Sequence, residues 1–137
     1  RDNADNIGAV WQENLNIYGI PSSVLPTKIP EGFELQEWDV DEQKVSGDIE
    51  FFAFYTKDEI SFAISVIRYS RLKSSNIEKG NATVEKYKVN GITYYLFENL
   101  SQRVVAWYVD NMECTIYGDI SIDDLKMMIN SIEMRSN

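Results

Sequence analysis

Val84-Glu85-Lys86-Tyr87-Lys88-Val89-Asn90-Gly91-Ile92-Thr93-Tyr94-Tyr95-Leu96-Phe97 is two β-rich runs joined by Asn-Gly. A two-residue hairpin of type I′ needs positive φ at both central positions, which Asn and Gly supply at least cost. The runs therefore read as an antiparallel hairpin with its register set by the turn. Downstream, Val104 to Val109 and Met112 to Tyr117 flank Asp110-Asn111, a second short turn, so this half of the chain is a four-strand meander. Upstream, Ile49 to Tyr55 and Ile60 to Tyr69 are rich in aromatic and β-branched residues, with a turn at Lys57-Asp58. Phe33, Leu35 and Glu37 open the β text by alternation.

The ends of the chain read differently. Ser121 followed by Asp124 resembles a capping box, and Asp123 and Asp124 suit the positive end of a helix. Ile122, Leu125, Ile129 and Ile132 then form one apolar stripe that must lie on the sheet. The three prolines, Pro21, Pro26 and Pro30, exclude a helix through Ile20 to Gly32 and leave a connector with apolar pegs at Val24, Leu25 and Ile29. Ile7 to Tyr18 carries both a helical and an alternating pattern. Gly8, Asn14 and Asn16 weaken the helix, so the segment is read as extended. The fold class is α+β: a mainly antiparallel curved β-sheet, largely meander, with one C-terminal helix packed on one face. Residues 1–137 form a single domain, with an extended and Pro-containing segment at 1–32, the sheet at 33–118 and the helix at 121–134.

Length and composition fit one globular unit: 137 residues, 44% hydrophobic and 26% charged. The 13 basic and 22 acidic residues give a formal charge of −9, which repels phosphate backbones and argues against nucleic acid as a partner. No apolar run approaches the roughly 20 residues that span a bilayer.

The absence of histidine removes Ser-His and Cys-His nucleophilic systems, His-based metal sites and the usual proton shuttle. Cys114, the single cysteine, shares a strand face with Met112 and Ile116 and reads as a buried structural thiol. No glycine pattern cradles phosphate, and no cofactor is expected. Glu98, Asp110 and Glu113 sit at strand ends or turns, where solvated acids are the rule, so a hydrolase-type carboxylate pair is the weaker reading. Asp39, Asp41 and Glu42 lack the spacing of a Ca²⁺ loop, and no metal is expected. Arg68-Tyr69-Ser70-Arg71-Leu72-Lys73 is a basic cluster interleaved with an aromatic; it reads as a strand exit, with contact to an anionic partner as the alternative. The aromatics of the strands fall on both faces. The sequence reading takes Tyr94, Trp107 and Tyr117 as the candidate partner-binding residues, because Tyr and Trp are enriched where partners dock.

Ile29-Pro30-Glu31-Gly32-Phe33, Val89-Asn90-Gly91 with Tyr94-Tyr95, Val105-Ala106-Trp107, and Tyr117-Gly118-Asp119-Ile120-Ser121 running to Ser131-Ile132 together resemble one domain family of unknown function. It is found in Gram-positive bacteria, as the extracytoplasmic C-terminal part of single-span membrane proteins, some of them anti-sigma-factor-like. Val10-Trp11 with Leu15 to Tyr18 belongs to the same resemblance, which favours an extended segment there. The resemblance carries no catalytic residues. It implies a non-enzymatic, extracytoplasmic sensory or protein-interaction domain, anchored to the cell membrane through a segment outside this sequence. Its partner would be an unidentified protein or a small apolar or peptide ligand. The Pro-Glu-Gly-Phe word is also similar to the sheet entry of lipoprotein-carrier and sigma-regulator sensor domains. The alternative is thus a lipid- or peptide-binding carrier using the concave face of the sheet. From the Arg1 start and the resemblance, a membrane-spanning or signal segment is expected upstream in the full-length gene. Sequencing upstream of the Arg1 codon checks this; a reading frame that begins within a few residues, with no apolar segment, refutes it.

Overall fold

A computed structural model of the chain describes residues 14–71 and 83–135. Among them are strands β1 (Glu34–Glu42), β2 (Ile49–Lys57), β3 (Ile60–Arg68), β4 (Glu85–Val89), β5 (Ile92–Asn99), β6 (Gln102–Val109) and β7 (Met112–Gly118), followed by helix α1 (Ile122–Asn130). The strands form one sheet in the order β1-β2-β3-β7-β6-β5-β4, antiparallel at every pairing. The expected fold class is therefore what the structure has. The Asn90-Gly91 turn carries φ of 55° and 82°, as the type I′ reading requires. A third two-residue turn, Leu100-Ser101, also takes positive φ (52° and 70°) without a glycine or asparagine to signal it. These tight turns keep β4 to β7 in sequential order. The chain crosses from β3 to the far edge at β4 and returns, so that β7 closes the sheet against β3.

Alternation decides the core. Phe51, Ala53 and Tyr55 of β2, Phe62, Ile64 and Val66 of β3, and Met112, Cys114 and Ile116 of β7 point to one face and are buried. Tyr94, Leu96, Val105 and Trp107 continue that face across β5 and β6. Leu125, Met128 and Ile129 of α1 and Leu15, Ile20, Val24 and Leu25 of the N-terminal segment belong to the same cluster, so both elements cover this inner face. Ser121 caps α1 by accepting from the Asp124 N–H at 3.0 Å.

Helix α1 ends at Asn130, short of the expected 134, because Ser131 diverts the chain. Its hydroxyl donates to the Met128 carbonyl at 2.7 Å and accepts from the N–H groups of Thr27 and Lys28. Ile132 is buried beyond the helix end, and the Met134 N–H donates to the Ser23 carbonyl. No described helix is long and apolar enough to cross a membrane.

The N-terminal expectation needs correction. Residues 14–17 are helical, not extended; residues 7–13 lie outside the described residues. The Ile20 N–H reaches back to the Leu15 carbonyl at 3.0 Å and the Gly19 N–H to the Asn16 carbonyl at 3.1 Å, with Gly19 at φ 78°. That pair of bonds is a Schellman closure, in which a left-handed glycine satisfies the last carbonyls of a helix. Tyr18-Gly19-Ile20 is its sequence signal. It outweighed the poor propensity of Asn14 and Asn16 because Leu15 and Ile20 gain full burial.

Leu125 is fully buried on the face of α1 that covers the sheet. Leu125→Ala is expected to cost about 2–5 kcal/mol, the range for emptying a core leucine site. Chemical denaturation checks this, and a loss below about half a kcal/mol would place the residue at the surface.

Candidate functional site

Antiparallel pairing lines up the side chains of the opposite, outer face in rows across the sheet. One row runs Glu37, Phe54, Ala63, Tyr117, Val104, Phe97. The next runs Asp39, Phe52, Ser65, Thr115, Ala106, Tyr95, Lys86. A third runs Asp41, Glu50, Ile67, Glu113, Tyr108, with Thr93 and Lys88 on the same face at the β4 side. Phe52, Phe54, Tyr95, Phe97 and Tyr108 are half-buried, and none of them belongs to the core cluster or packs against it. Phe52 and Phe54 stack at 6.4 Å between centroids. The face is therefore an apolar and aromatic field. Its β1 margin is acidic, with Glu34, Glu37, Asp39 and Asp41 all exposed, and its β4 margin carries Lys86 and Lys88.

The three sequence candidates separate. Tyr94 is 1% exposed and Trp107 is 0% exposed. Both face inward, their rings 5.2 Å apart and tilted by 49°. As surface groups they are corrected: the strand parity that puts Leu96 and Val105 in the core puts Tyr94 and Trp107 there too. Their neighbours Tyr95 and Tyr108 take the outer positions that the sequence reading gave to them. Trp107 Nε1 is buried with no hydrogen-bond partner among the described residues, a cost of about 1–3 kcal/mol that the burial of the whole indole offsets. Tyr117 is 37% exposed and stands at the centre of the outer face. A signal for the parity was present, since Lys86 and Lys88 across the Asn90-Gly91 turn share a face with Thr93 and Tyr95 and mark it as the wet one.

The acids noted in the sequence do not converge. Asp39, Asp41 and Glu42 are strand residues of β1 and not a loop. Asp110 sits in the β6–β7 turn at φ 54°. Glu113 accepts from the Tyr69 hydroxyl at 2.7 Å, and Glu98 lies 3.8 Å from Arg103. A cleft of about 490 Å³ opens beside the start of α1, lined by Leu96, Phe97, Val104, Ile122 and Leu125 with Glu85, Glu98 and Arg103 at its polar side. Glu85 is held by Lys126 at 2.9 Å, so each acid of the cleft has a cation of its own. Among the described residues no group of Cys, Asp and Glu is placed to hold a metal. The described part of the basic cluster is tied into local structure: Arg68 lies against Gly19, Tyr69 bonds Glu113, and the Ser70 N–H donates to Asp48. Leu72 and Lys73, and most of the polar stretch to Ala82, lie outside the described residues.

A family model described as "Domain of unknown function (DUF4367)" matches residues 23–132. No curated protein matches the chain. Two solved structures are similar in shape. One is MucB in complex with MucA(peri), with a TM-score of 0.45, 14% identity, and coverage of 82% of this chain and 36% of that one. The other is the Pseudomonas aeruginosa MucA/MucB complex, with a TM-score of 0.43, 13% identity, and coverage of 82% and 35%. This chain spans about a third of the length of those proteins, and at such identity the likeness concerns the fold alone.

Burial raises the Cys114 thiol well above its ordinary range, with the Glu113 carboxylate adding to the effect. Burial likewise pushes the Tyr94 hydroxyl up from 10.0 to about 12. A group whose folded value is raised contributes fully below its unfolded value and loses that contribution as pH rises towards the folded one. Stability is thus expected to fall between pH 10 and 12, and Tyr94→Phe to flatten the fall by on the order of 2 kcal/mol. Urea unfolding across that window checks it. Cys114 should resist a water-soluble disulfide reagent at pH 8 until the protein is unfolded.

Proposed function

The chain belongs to the DUF4367 family, and from that premise we propose that it is a non-enzymatic extracytoplasmic module acting by protein association through the outer face of its sheet. One observation carries the reading. One face of the sheet is covered by α1 and the N-terminal segment, while the other presents Phe52, Phe54, Tyr95, Phe97, Tyr108 and Tyr117 outside the core. A contiguous aromatic field of this kind is what a docking surface uses, because rings bury large area at small entropic cost. Tyr117 is its centre and the main contact proposed. Charged margins flank it and would set the orientation of a partner.

Chemistry supports association over catalysis. Histidine is absent from the sequence, and the acids of the cleft are each engaged by Lys126 or Arg103. Attachment to a membrane through a segment outside this sequence, and a sensory role for the parent protein, follow from the family resemblance and are proposed with it.

The cleft beside α1 favours a second reading, a carrier for a small amphiphile. Leu96, Ile122 and Leu125 would take the apolar part.

The test is photo-crosslinking in cells of the source organism, with the full-length protein. A photoreactive residue placed at position 117 is expected to trap protein adducts, and one at the exposed Val45 to trap none. Adducts absent at 117, or equal at both positions, would overturn the proposed surface. Protease added to intact spheroplasts should digest the domain if it lies outside the cytoplasmic membrane.

A further inference from the structure

We propose that the outer face pairs with a second copy of this chain, about a two-fold axis running along β7. The inference rests on the reading of that face as a docking surface and names its occupant. It comes from the pattern of charge and size across the sheet. With β7 in the middle, three strands lie on either side: β3, β2 and β1 one way, β6, β5 and β4 the other. A two-fold axis in the plane of the interface and parallel to the strands places each strand of one copy over its mirror-position strand in the other. Strand β1 then meets β4, β2 meets β5, and β3 meets β6.

The pairing registers show what would meet. In the middle row, Asp39 at the β1 margin falls opposite Lys86 of the second copy at its β4 margin. Asp41 similarly falls opposite Lys88. Inside those margins, Phe52 faces Tyr95 and Phe54 faces Phe97, so rings meet rings. Nearer the axis, Ser65 faces Ala106 and Ala63 faces Val104, small residues that let the backbones approach. Tyr117, Thr115 and Glu113 of β7 lie on the axis and each meets its own copy, so the two Glu113 carboxylates also face one another. A two-fold axis perpendicular to the strands would instead stack the four acids of one β1 on the four of the other, which like-charge repulsion forbids. The perpendicular axis opposes four acids to four, whereas the parallel one opposes only the Glu113 pair and matches acids to lysines at both margins, so charge favours the parallel axis.

The remaining geometry is compatible. Packed sheets keep their strands within about 30° of one another, and this operator leaves strand direction unchanged. Seven strands at about 4.8 Å spacing and three side-chain rows give on the order of 600 Å² per copy, the lower end of a standard interface. Opposing it is the −9 charge of each copy. That long-range term is screened within about 8 Å at physiological salt, whereas contacts at the margins are not.

The experiment is sedimentation equilibrium of the 137-residue chain at physiological salt, with charge-swap variants. Wild type is expected to show a concentration-dependent doubling of the 15.8 kDa mass. Asp39→Lys and Lys86→Asp, each alone, should raise the dimer dissociation constant roughly tenfold, since each acts at both ends of the two-fold interface. The double variant Asp39→Lys with Lys86→Asp should return towards wild type. Those two residues stand on opposite edges of one sheet, so their rescue can act only between copies. Circular dichroism of each variant identifies any that fails to fold, and the reverse pair Asp41→Lys with Lys88→Asp provides the same readout independently. A wild-type chain that stays monomeric to hundreds of micromolar, or a dimer that neither double swap restores, overturns the proposal. Trapping of a different protein from position 117 by a monomeric chain would overturn the second copy while sustaining the docking surface; no adduct of any kind would overturn both.

Discussion

The pairing of β3 with β7 is the constraint on which the rest of the molecule depends. It joins two meanders that are each locally specified, and it sets Val66 beside Cys114, Ile64 beside Ile116 and Phe62 beside Gly118. The close of that ladder is demanding. A side chain at Gly118 would collide with the Ser61 carbonyl and the Phe62 Cα, and its φ of 152° is one that other residues rarely adopt. The Asp119 N–H then donates to the same Ser61 carbonyl at 2.8 Å. Within Tyr117-Gly118-Asp119 the glycine therefore has a structural reason at the seam of the sheet.

With the seam made, each face has its own fate. Helix α1 and the proline-containing connector cover the inner face together, and they are interlocked at Ser131. Thr27 adds a bond from its hydroxyl to the Ser131 carbonyl at 2.9 Å. Lys126 pairs with Glu85 and sits 5.1 Å over the Tyr87 ring, while the Tyr87 hydroxyl donates to Asn130, so the helix is also fastened to β4 at the edge. Exposed contacts of this kind are weak, and they set the helix in place more than they stabilise it. The binding energy of α1 is the burial of Leu125, Met128 and Ile129.

The outer face is aromatic in its interior and charged at its margins. An unsupported aromatic face costs solubility, and the acids along β1 repel edge-to-edge association with other sheets. The lysines on β4 give the face a direction. A surface that is apolar in the middle and oppositely charged at its two margins discriminates among orientations of whatever docks there, a property that a uniformly acidic face would lack.

How much of this was legible in the residues follows from the range of the interactions concerned. Turn chemistry and helix caps act within a few positions, so Asn90-Gly91 and Ser121 with Asp124 were read in place, and β2 and β3 were read from their aromatic and β-branched content. The Leu100-Ser101 turn lacked such chemistry, and the reading of Ile7 to Tyr18 weighed its asparagine propensities without the Gly19 closure that follows them. Cys114 was read as buried from the apolar residues two positions either side of it. The face of each aromatic doublet was not legible in the same way. In Tyr94-Tyr95 and Trp107-Tyr108 both residues suit either side of a strand, and one step of register exchanges them. The amino-acid sequence by itself determined the strands, the helix, the acidic balance and the absence of imidazole chemistry. Only the tertiary structure decided that Tyr94 and Trp107 face inward while Tyr95, Tyr108 and Tyr117 face out, because that choice is made by pairing across the sheet and by the helix that covers one side of it.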